Sequence, residues 1–120
     1  MIAVVDDDPR VLESLGEFLE SAGYPVRTFS SAKALIDAGL SGIGCVITDI
    51  GMPVMDGFEL HDAVKKVRPD LPVFLITGRH EIGDQQRASA KDIGGFFRKP
   101  FDGPALLAAV GKAMRAQNGG

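Results

Sequence analysis

The chain has little of several features by which common classes of protein are recognised. It contains one cysteine among 120 residues, which excludes an internal disulfide and a metal site built from several cysteines. Its formal net charge is −3, so it lacks the basic excess of a nucleic-acid-binding domain. No apolar run approaches the roughly 18 residues of a membrane-spanning helix, and no basic-then-apolar leader opens the sequence. We therefore expect a cytoplasmic protein that binds neither a membrane nor nucleic acid directly.

The residues that are present suit one globular domain with an apolar core. Hydrophobic residues make up 45% of the chain and charged residues 24%. The single cysteine, Cys45, lies in the apolar run CVIT, which predicts a buried core residue rather than a reactive thiol. No linker or repeat divides the sequence, so we predict one domain over residues 1–116 and a short tail over residues 117–120.

Short apolar runs rich in β-branched residues alternate along the chain with segments of helical periodicity. The runs predict strands over residues 2–5, 25–29, 45–48, 72–77 and 95–98. Apolar residues at helical spacing predict a helix in each interval between the strands and another after the last strand. This spacing is weakest over residues 82–93.

Five strands alternating with five helices predict an α/β fold with a doubly wound parallel sheet covered on both faces. Right-handed crossovers favour the strand order 2-1-3-4-5. In such sheets ligands bind beyond the carboxyl ends of the strands, at the point where the strand order reverses. That point lies between the first and third strands, so this is where we expect a functional site.

Charged and hydroxyl residues stand at the carboxyl ends of four of the predicted strands. Asp6 and Asp7 follow the first strand, Asp49 the third, Thr77 ends the fourth, and Lys99 follows the fifth. Because the carboxyl ends of parallel strands meet at one edge of the sheet, we expect these side chains to converge.

Three converging carboxylates repel one another unless a cation joins them, and Mg²⁺ suits a small carboxylate set that leaves positions for phosphate oxygens. Thr77 offers a hydroxyl and Lys99 a point charge, both suited to a phosphoryl group. A carboxylate can itself accept a phosphoryl group and form an aspartyl phosphate. Asp49, between the acidic pair and the lysine, is therefore the predicted nucleophile.

Other acidic residues are predicted to cap helices. Asp8 is followed by Pro9 and a helical stripe, which is typical of an N-cap with proline at the first helical position. Asp56 is interpreted in the same way for the third helix and Asp102 for the last.

The third predicted helix carries an apolar stripe made of Leu60, Ala63, Val64 and Val67. The two histidines, His61 and His80, are isolated in the sequence and are expected at the surface.

The ordered set of motifs resembles the receiver domains of bacterial two-component response regulators, a family with a flavodoxin-like fold. The resemblance spans the chain from IAVVDDDP to the final amphipathic helix. It rests on the acidic pair Asp6 and Asp7, on TDIGMPVMDG around Asp49, on ITG at Thr77, and on RKPF at Lys99. Each motif is weak alone, but their order and spacing together are specific.

The resemblance implies that Asp49 accepts a phosphoryl group, in a Mg²⁺-dependent reaction, from a sensor histidine kinase or a histidine phosphotransfer protein. It also implies that Asp7, Asp49 and the backbone carbonyl of Gly51 hold the Mg²⁺, with Asp6 assisting partly through water. The domain would not be an enzyme, apart from catalysing its own phosphorylation and dephosphorylation.

The resemblance further implies how the phosphorylated state is read. Thr77 and Lys99 would bind the phosphoryl oxygens, and a cis peptide between Lys99 and Pro100 would direct the lysine inward. Thr77 and Phe96 would act as switch residues. The face formed by residues 82–115 would then bind a downstream protein or a dimer partner.

Two other functions are alternatives to a phosphorylated receiver domain. A hydrolase of the haloacid dehalogenase type also uses an aspartyl nucleophile and Mg²⁺, but it needs an acid–base aspartate where this chain has Gly51. The alternative function is a non-phosphorylated pseudo-receiver that acts as a binding module, although all five site residues argue against it. The sequence leaves open whether the chain is a stand-alone receiver or part of a longer regulator.

Overall fold

The apolar runs of the sequence form five strands, and the segments between them form helices. A computed structural model describes residues 1–78, 86, 95–99 and 102–118. In chain order the elements are β1 (Ile2–Val5), α1 (Pro9–Ser21), β2 (Val26–Phe29), α2 (Ala32–Ala38), β3 (Cys45–Asp49), α3 (Gly57–Val67), β4 (Val73–Thr77), β5 (Gly95–Arg98) and α4 (Gly103–Asn118). The helix predicted over residues 82–93 lies outside the described residues, apart from residue 86.

The strands form one parallel sheet in the order β2-β1-β3-β4-β5, which confirms the predicted doubly wound topology. The register aligns the carboxyl ends of the central strands. Val5 lies opposite Thr48, so Asp6 is level with Asp49 on the neighbouring strand. On the other side of β3, Asp49 lies opposite Ile76, one residue before Thr77.

Both faces of the sheet are buried, which explains why β1, β3 and β4 are apolar almost without interruption. Ala3, Val5 and Val46 belong to the apolar cluster that also contains the buried hydrophobic side chains of α2 and α3. The alternate residues of β1 and β3, among them Cys45, pack with α1 and α4. Burial raises the pKa of the Cys45 thiol to about 12, as suits the predicted core cysteine.

Short polar side chains cap the starts of the described helices, because each satisfies a backbone N–H that the first helical turn leaves free, and the three aspartates among them stand at the predicted positions. Asp8 accepts a hydrogen bond from the Arg10 backbone N–H at 2.9 Å. The remaining caps are Ser31 for α2, Asp56 for α3, where Glu59 completes a capping box, and Asp102 for α4.

The orientation of α3 about its own axis differs from the prediction. Val67 is 72% exposed, whereas His61, expected at the surface, is only 5% exposed. The buried face of the helix is formed by Gly57, Phe58, Leu60, His61 and Val64. Leu60 and Val64 of the predicted stripe are therefore confirmed as buried, whereas Val67 is not, because packing against the sheet sets the rotation of the helix about its axis.

The last helix, α4, continues to Asn118, two residues into the segment predicted as a tail. No helix in the described ranges is both long enough and apolar enough to cross a membrane.

Candidate functional site

Three carboxylates meet where the strand order reverses. Asp6 and Asp7 directly follow β1, and Asp49 is the last residue of the adjacent strand β3. One carboxylate oxygen from each residue lies within 4.8 Å of the other two. Asp6 is 1% exposed and Asp49 is 7% exposed, whereas Asp7 faces solvent. The structure thus brings together the three aspartates that the sequence placed at this edge.

The consecutive aspartates Asp6 and Asp8 make different hydrogen bonds and therefore have different roles. The Asp6 N–H donates to the Phe29 carbonyl on β2 at 3.1 Å, which extends the sheet contact beyond β1. The Asp8 N–H donates to Asp6 Oδ1 at 2.9 Å, so the Asp6 carboxylate is held by the turn into α1. Asp8 itself points to the helix start, and only its two predecessors join the cluster.

Lys99 connects the far side of the sheet to these carboxylates. Its backbone N–H donates to the Thr77 carbonyl at 2.7 Å, immediately after β5. Its Nζ donates to Asp6 Oδ2 at 2.8 Å and to Asp49 Oδ1 at 3.2 Å. The lysine side chain is 25% exposed, so these are partly buried, charge-assisted hydrogen bonds.

The cluster changes the proton affinity of its members. Burial, reinforced by the negative charge of Asp6, raises the pKa of Asp49 although Lys99 opposes the shift. Burial lowers the pKa of Lys99, but the hydrogen bond to Asp6 and the charge of Asp49 outweigh it, so the net shift is upward. Lys99 is therefore positively charged beside a carboxylate that resists ionisation.

The donor set fits a small divalent cation. Three carboxylates against one ammonium leave two formal negative charges when all are ionised. All the available ligands are hard oxygens, which Mg²⁺ prefers over the nitrogen and sulfur ligands of transition metals. The exposed position of Asp7 leaves the site open on its solvent side.

The remaining predicted site residues lie around this cluster. Thr77 ends β4 beside β3 and is almost fully buried. Phe96 is half-buried on β5, with the Arg98 guanidinium carbon 5.8 Å from its ring centroid. Pro100, and with it the predicted cis peptide, lies outside the described residues.

Two glycines near Asp49 have opposite surroundings. Gly51 is exposed, and a Cβ atom placed there would meet no atom within 4 Å. A Cβ on Gly57 would lie 2.5 Å from the Asp49 carbonyl oxygen and 2.9 Å from Ile50 Cα. The Gly57 N–H also donates to the Ile50 carbonyl at 2.9 Å. The sequence predicts only a helix cap at this point, although the glycine after Asp56 is the available signal for a close approach.

Comparison with known protein families and proteins identifies the family of the chain. The family model of the response regulator receiver domain matches residues 2–111. FixJ, a transcriptional regulatory protein of Bradyrhizobium diazoefficiens, is 37% identical over 116 residues, which are 95% of this chain and 56% of FixJ. The response regulator TodT of Pseudomonas putida is 34% identical over 96% of this chain and 51% of TodT. The chain spans about half the length of these relatives.

Solved structures share the fold over nearly the whole chain. A receiver domain from Clostridium thermocellum superimposes with a TM-score of 0.89 at 28% identity, over 98% of this chain and 95% of that one. The chemotaxis protein CheY4 of Vibrio cholerae gives 0.82 at 29% identity, over 93% and 96%. The DrrB receiver domain, solved in a BeF₃-activated form, gives 0.86 at 28% identity, over 95% and 96%. The chain therefore belongs to the response regulator receiver domain family, the signalling domains of two-component systems that partner with histidine kinases.

Proposed function

We propose that Asp49 of this receiver accepts a phosphoryl group from the phosphohistidine of a sensor histidine kinase or a histidine phosphotransfer protein. The observation that carries the proposal is the Lys99 ammonium, hydrogen-bonded to both Asp6 and Asp49 within the cluster of three carboxylates. A buried carboxylate beside a fixed ammonium and an acidic pair combines a nucleophile with groups that can hold a charged substrate.

In the transfer, an Asp49 carboxylate oxygen forms a bond to phosphorus while the bond between phosphorus and the donor histidine nitrogen breaks. The electron pair of the broken bond stays on the imidazole nitrogen, and Asp49 becomes an aspartyl phosphate. Phosphoryl transfer requires mainly positioning and charge stabilisation, so the residues around Asp49 have little covalent chemistry to perform.

Lys99 and Thr77 would stabilise the transferred group. Lys99 Nζ is already 3.2 Å from Asp49 Oδ1, so a small movement brings it to a phosphoryl oxygen attached at that carboxylate. The Thr77 hydroxyl, at the end of the neighbouring strand, would donate to a second phosphoryl oxygen. Asp7, Asp49 and the Gly51 carbonyl, assisted by Asp6, would hold Mg²⁺, which when bound neutralises charge on the phosphoryl oxygens.

The aspartyl phosphate would change a protein-binding surface in the cytoplasm rather than begin a catalytic cycle. Thr77 would be drawn toward the phosphoryl group, and Phe96 would change rotamer into the space that the threonine leaves. The face of residues 82–115 would then bind a downstream protein or a second receiver. FixJ is a transcriptional regulatory protein, which favours transcription as the controlled process.

Incubation with acetyl phosphate and Mg²⁺, followed by intact-mass spectrometry, tests the proposal. We expect an adduct with the mass of one phosphoryl group, its loss in the Asp49→Asn variant, and its loss when a chelator replaces Mg²⁺. Asp37→Asn, on the exposed side of α2, is the matched control and should react like the unmodified chain. An adduct that persists in Asp49→Asn contradicts the assignment. No adduct on the unmodified chain, together with no response to beryllofluoride, favours the pseudo-receiver alternative.

A further inference from the structure

A hydroxyl group is buried in the otherwise apolar central strand. Thr48 is fully inaccessible to solvent and directly precedes Asp49 at the end of β3. Strand alternation places its side chain on the same face as Val46 and Ile50, which both belong to the apolar cluster beneath α2 and α3. A buried hydroxyl costs free energy unless it is hydrogen-bonded, and valine would fill this space without that cost.

The hydroxyl has a specific partner at the phosphorylation site. Thr48 Oγ1 donates to the backbone carbonyl oxygen of Asp49 at 3.0 Å. The same oxygen faces the start of α3, where Gly57 packs so closely that a Cβ would lie 2.5 Å from it. Thr48 and α3 therefore hold the peptide group of Asp49 from two directions.

Orientation of this peptide group contributes to where the Asp49 carboxylate lies, because it fixes the backbone from which the side chain extends. The carbonyl and the side chain share the same Cα atom, so a rotation of one moves the other relative to the surrounding strands. The carboxylate must stay 3.2 Å from Lys99 Nζ and within 4.8 Å of the Asp6 and Asp7 oxygens. In phosphoryl transfer, a displacement of the nucleophile by about 1 Å costs on the order of a hundredfold in rate.

We propose that Thr48 is a positioning residue whose hydroxyl fixes the backbone of Asp49 for phosphoryl transfer. This inference rests on the proposed function, because it assigns a role in the reaction at Asp49. Thr48 does not contact the reacting atoms and acts only through the carbonyl that it binds.

Two substitutions separate the hydroxyl from the packing. Thr48→Val keeps the shape of the side chain and removes the hydroxyl, whereas Thr48→Ser keeps the hydroxyl and removes a methyl group. We expect Thr48→Val to slow phosphorylation by acetyl phosphate about tenfold at saturating donor, with little change in the half-saturating concentration. Thr48→Ser should react nearly as fast as the unmodified chain. A packing role predicts the opposite order, because only the serine variant leaves a cavity.

A second measurement does not depend on the reaction. In spectra of the metal-free protein, the amide resonances of Ile50 and Gly57 should shift in Thr48→Val and stay near their original positions in Thr48→Ser. Urea unfolding of each variant shows that the compared proteins are folded. Thr28→Val, at an exposed site on β2, is the matched control and should change neither the Ile50 and Gly57 resonances nor the rate.

The outcomes distinguish this inference from the proposed function. If Thr48→Val reacts at the original rate, or faster than Thr48→Ser, the positioning role is overturned and the proposed function stands. If the unmodified chain accepts no phosphoryl group, the proposed function fails and the inference fails with it.

Discussion

Burial and the neighbouring charges shift the pKa of Asp49 in opposite directions. Burial and the charge of Asp6 raise its pKa, and the ammonium of Lys99 only partly offsets them. A carboxyl whose pKa is higher in the folded than in the unfolded chain stabilises the fold at low pH, and that contribution is lost as pH rises through the folded-state pKa. In the metal-free protein the ionised Asp49 therefore destabilises the fold at neutral pH, and the acidic cluster around it is compatible with a metal site.

The first prediction follows from the upward shift of the Asp49 pKa. Asp49→Asn should increase the free energy of unfolding of the metal-free protein at neutral pH, because it removes one buried negative charge. The gain should shrink as pH falls through the raised folded-state pKa of Asp49, because the unmodified carboxyl becomes protonated. Adding Mg²⁺ should reduce the difference, since the cation binds the unmodified cluster better.

Urea denaturation at several pH values measures both effects. Asp37→Asn, which removes an exposed carboxylate paired with Lys33, should show neither the gain nor its pH dependence. An Asp49→Asn variant that is less stable than the unmodified chain at neutral pH, without metal, contradicts the account of the cluster.

Among the secondary-structure elements, α3 begins in direct contact with the backbone of Asp49, the proposed phosphoryl acceptor. Its capping box of Asp56 and Glu59 fixes where the helix begins. Its first residue, Gly57, then contacts the backbone of Asp49 and Ile50. The position of the helix and that of Asp49 are thus coupled through backbone atoms, which cannot rearrange as a flexible side chain can.

The second prediction is that Gly57→Ala lowers stability and slows phosphorylation. Helix propensity alone favours alanine over glycine by about 1 kcal/mol. The added Cβ, however, would lie 2.5 Å from the Asp49 carbonyl oxygen, so the backbone must shift. We expect a net loss of about 1–3 kcal/mol, as is typical of overpacking.

Urea unfolding and the rate of reaction with acetyl phosphate measure these two effects. Gly51→Ala is the matched control for stability, because its Cβ would meet nothing within 4 Å, and it should not lose stability. A Gly57→Ala variant that gains stability would show that helix propensity outweighs the close contact.

At the scale of the whole molecule, the sheet topology assembles the site. Asp6 and Lys99 are 93 residues apart in sequence, yet their side chains are hydrogen-bonded. This contact arises because β1, β3, β4 and β5 are parallel and end at one edge. In the same topology β5, which carries Phe96, pairs with β4 and directly precedes Lys99. A movement of Lys99 or Thr77 can therefore reach Phe96 through adjacent residues.

The third prediction concerns this route. Beryllofluoride, which mimics a phosphoryl group on the carboxylate, should change amide chemical shifts of residues 95–99 and of α4 as well as those around Asp49. The physical reason is that new charge at Asp49 attracts Lys99 and Thr77, and their movement alters the packing of Phe96. Two-dimensional NMR spectra with and without beryllofluoride measure the response.

The Asp49→Asn variant is the control for this experiment and should show no change on addition of beryllofluoride. Shifts confined to the edge of the sheet near Asp49 would contradict long-range switching.

The sequence by itself determined the features that depend on neighbours in the chain or on strand polarity. Caps such as Asp8 and Asp56 were predictable because their hydrogen bonds reach only two or three residues along the chain. The meeting of Asp6, Asp49 and Lys99 was predictable because the ends of parallel strands share one edge.

Only the tertiary structure decided the features that depend on how elements pack. Periodicity shows that α3 has an apolar face but leaves the rotation of the helix about its axis open, and packing buried His61 and exposed Val67. The contacts of Thr48 and Gly57 with the Asp49 carbonyl were equally hidden, because neither a hydroxyl in a strand nor a glycine at a helix start indicates which atoms will lie beside it. Close packing settles such contacts to a fraction of an ångström, at a scale that no pattern along the chain records.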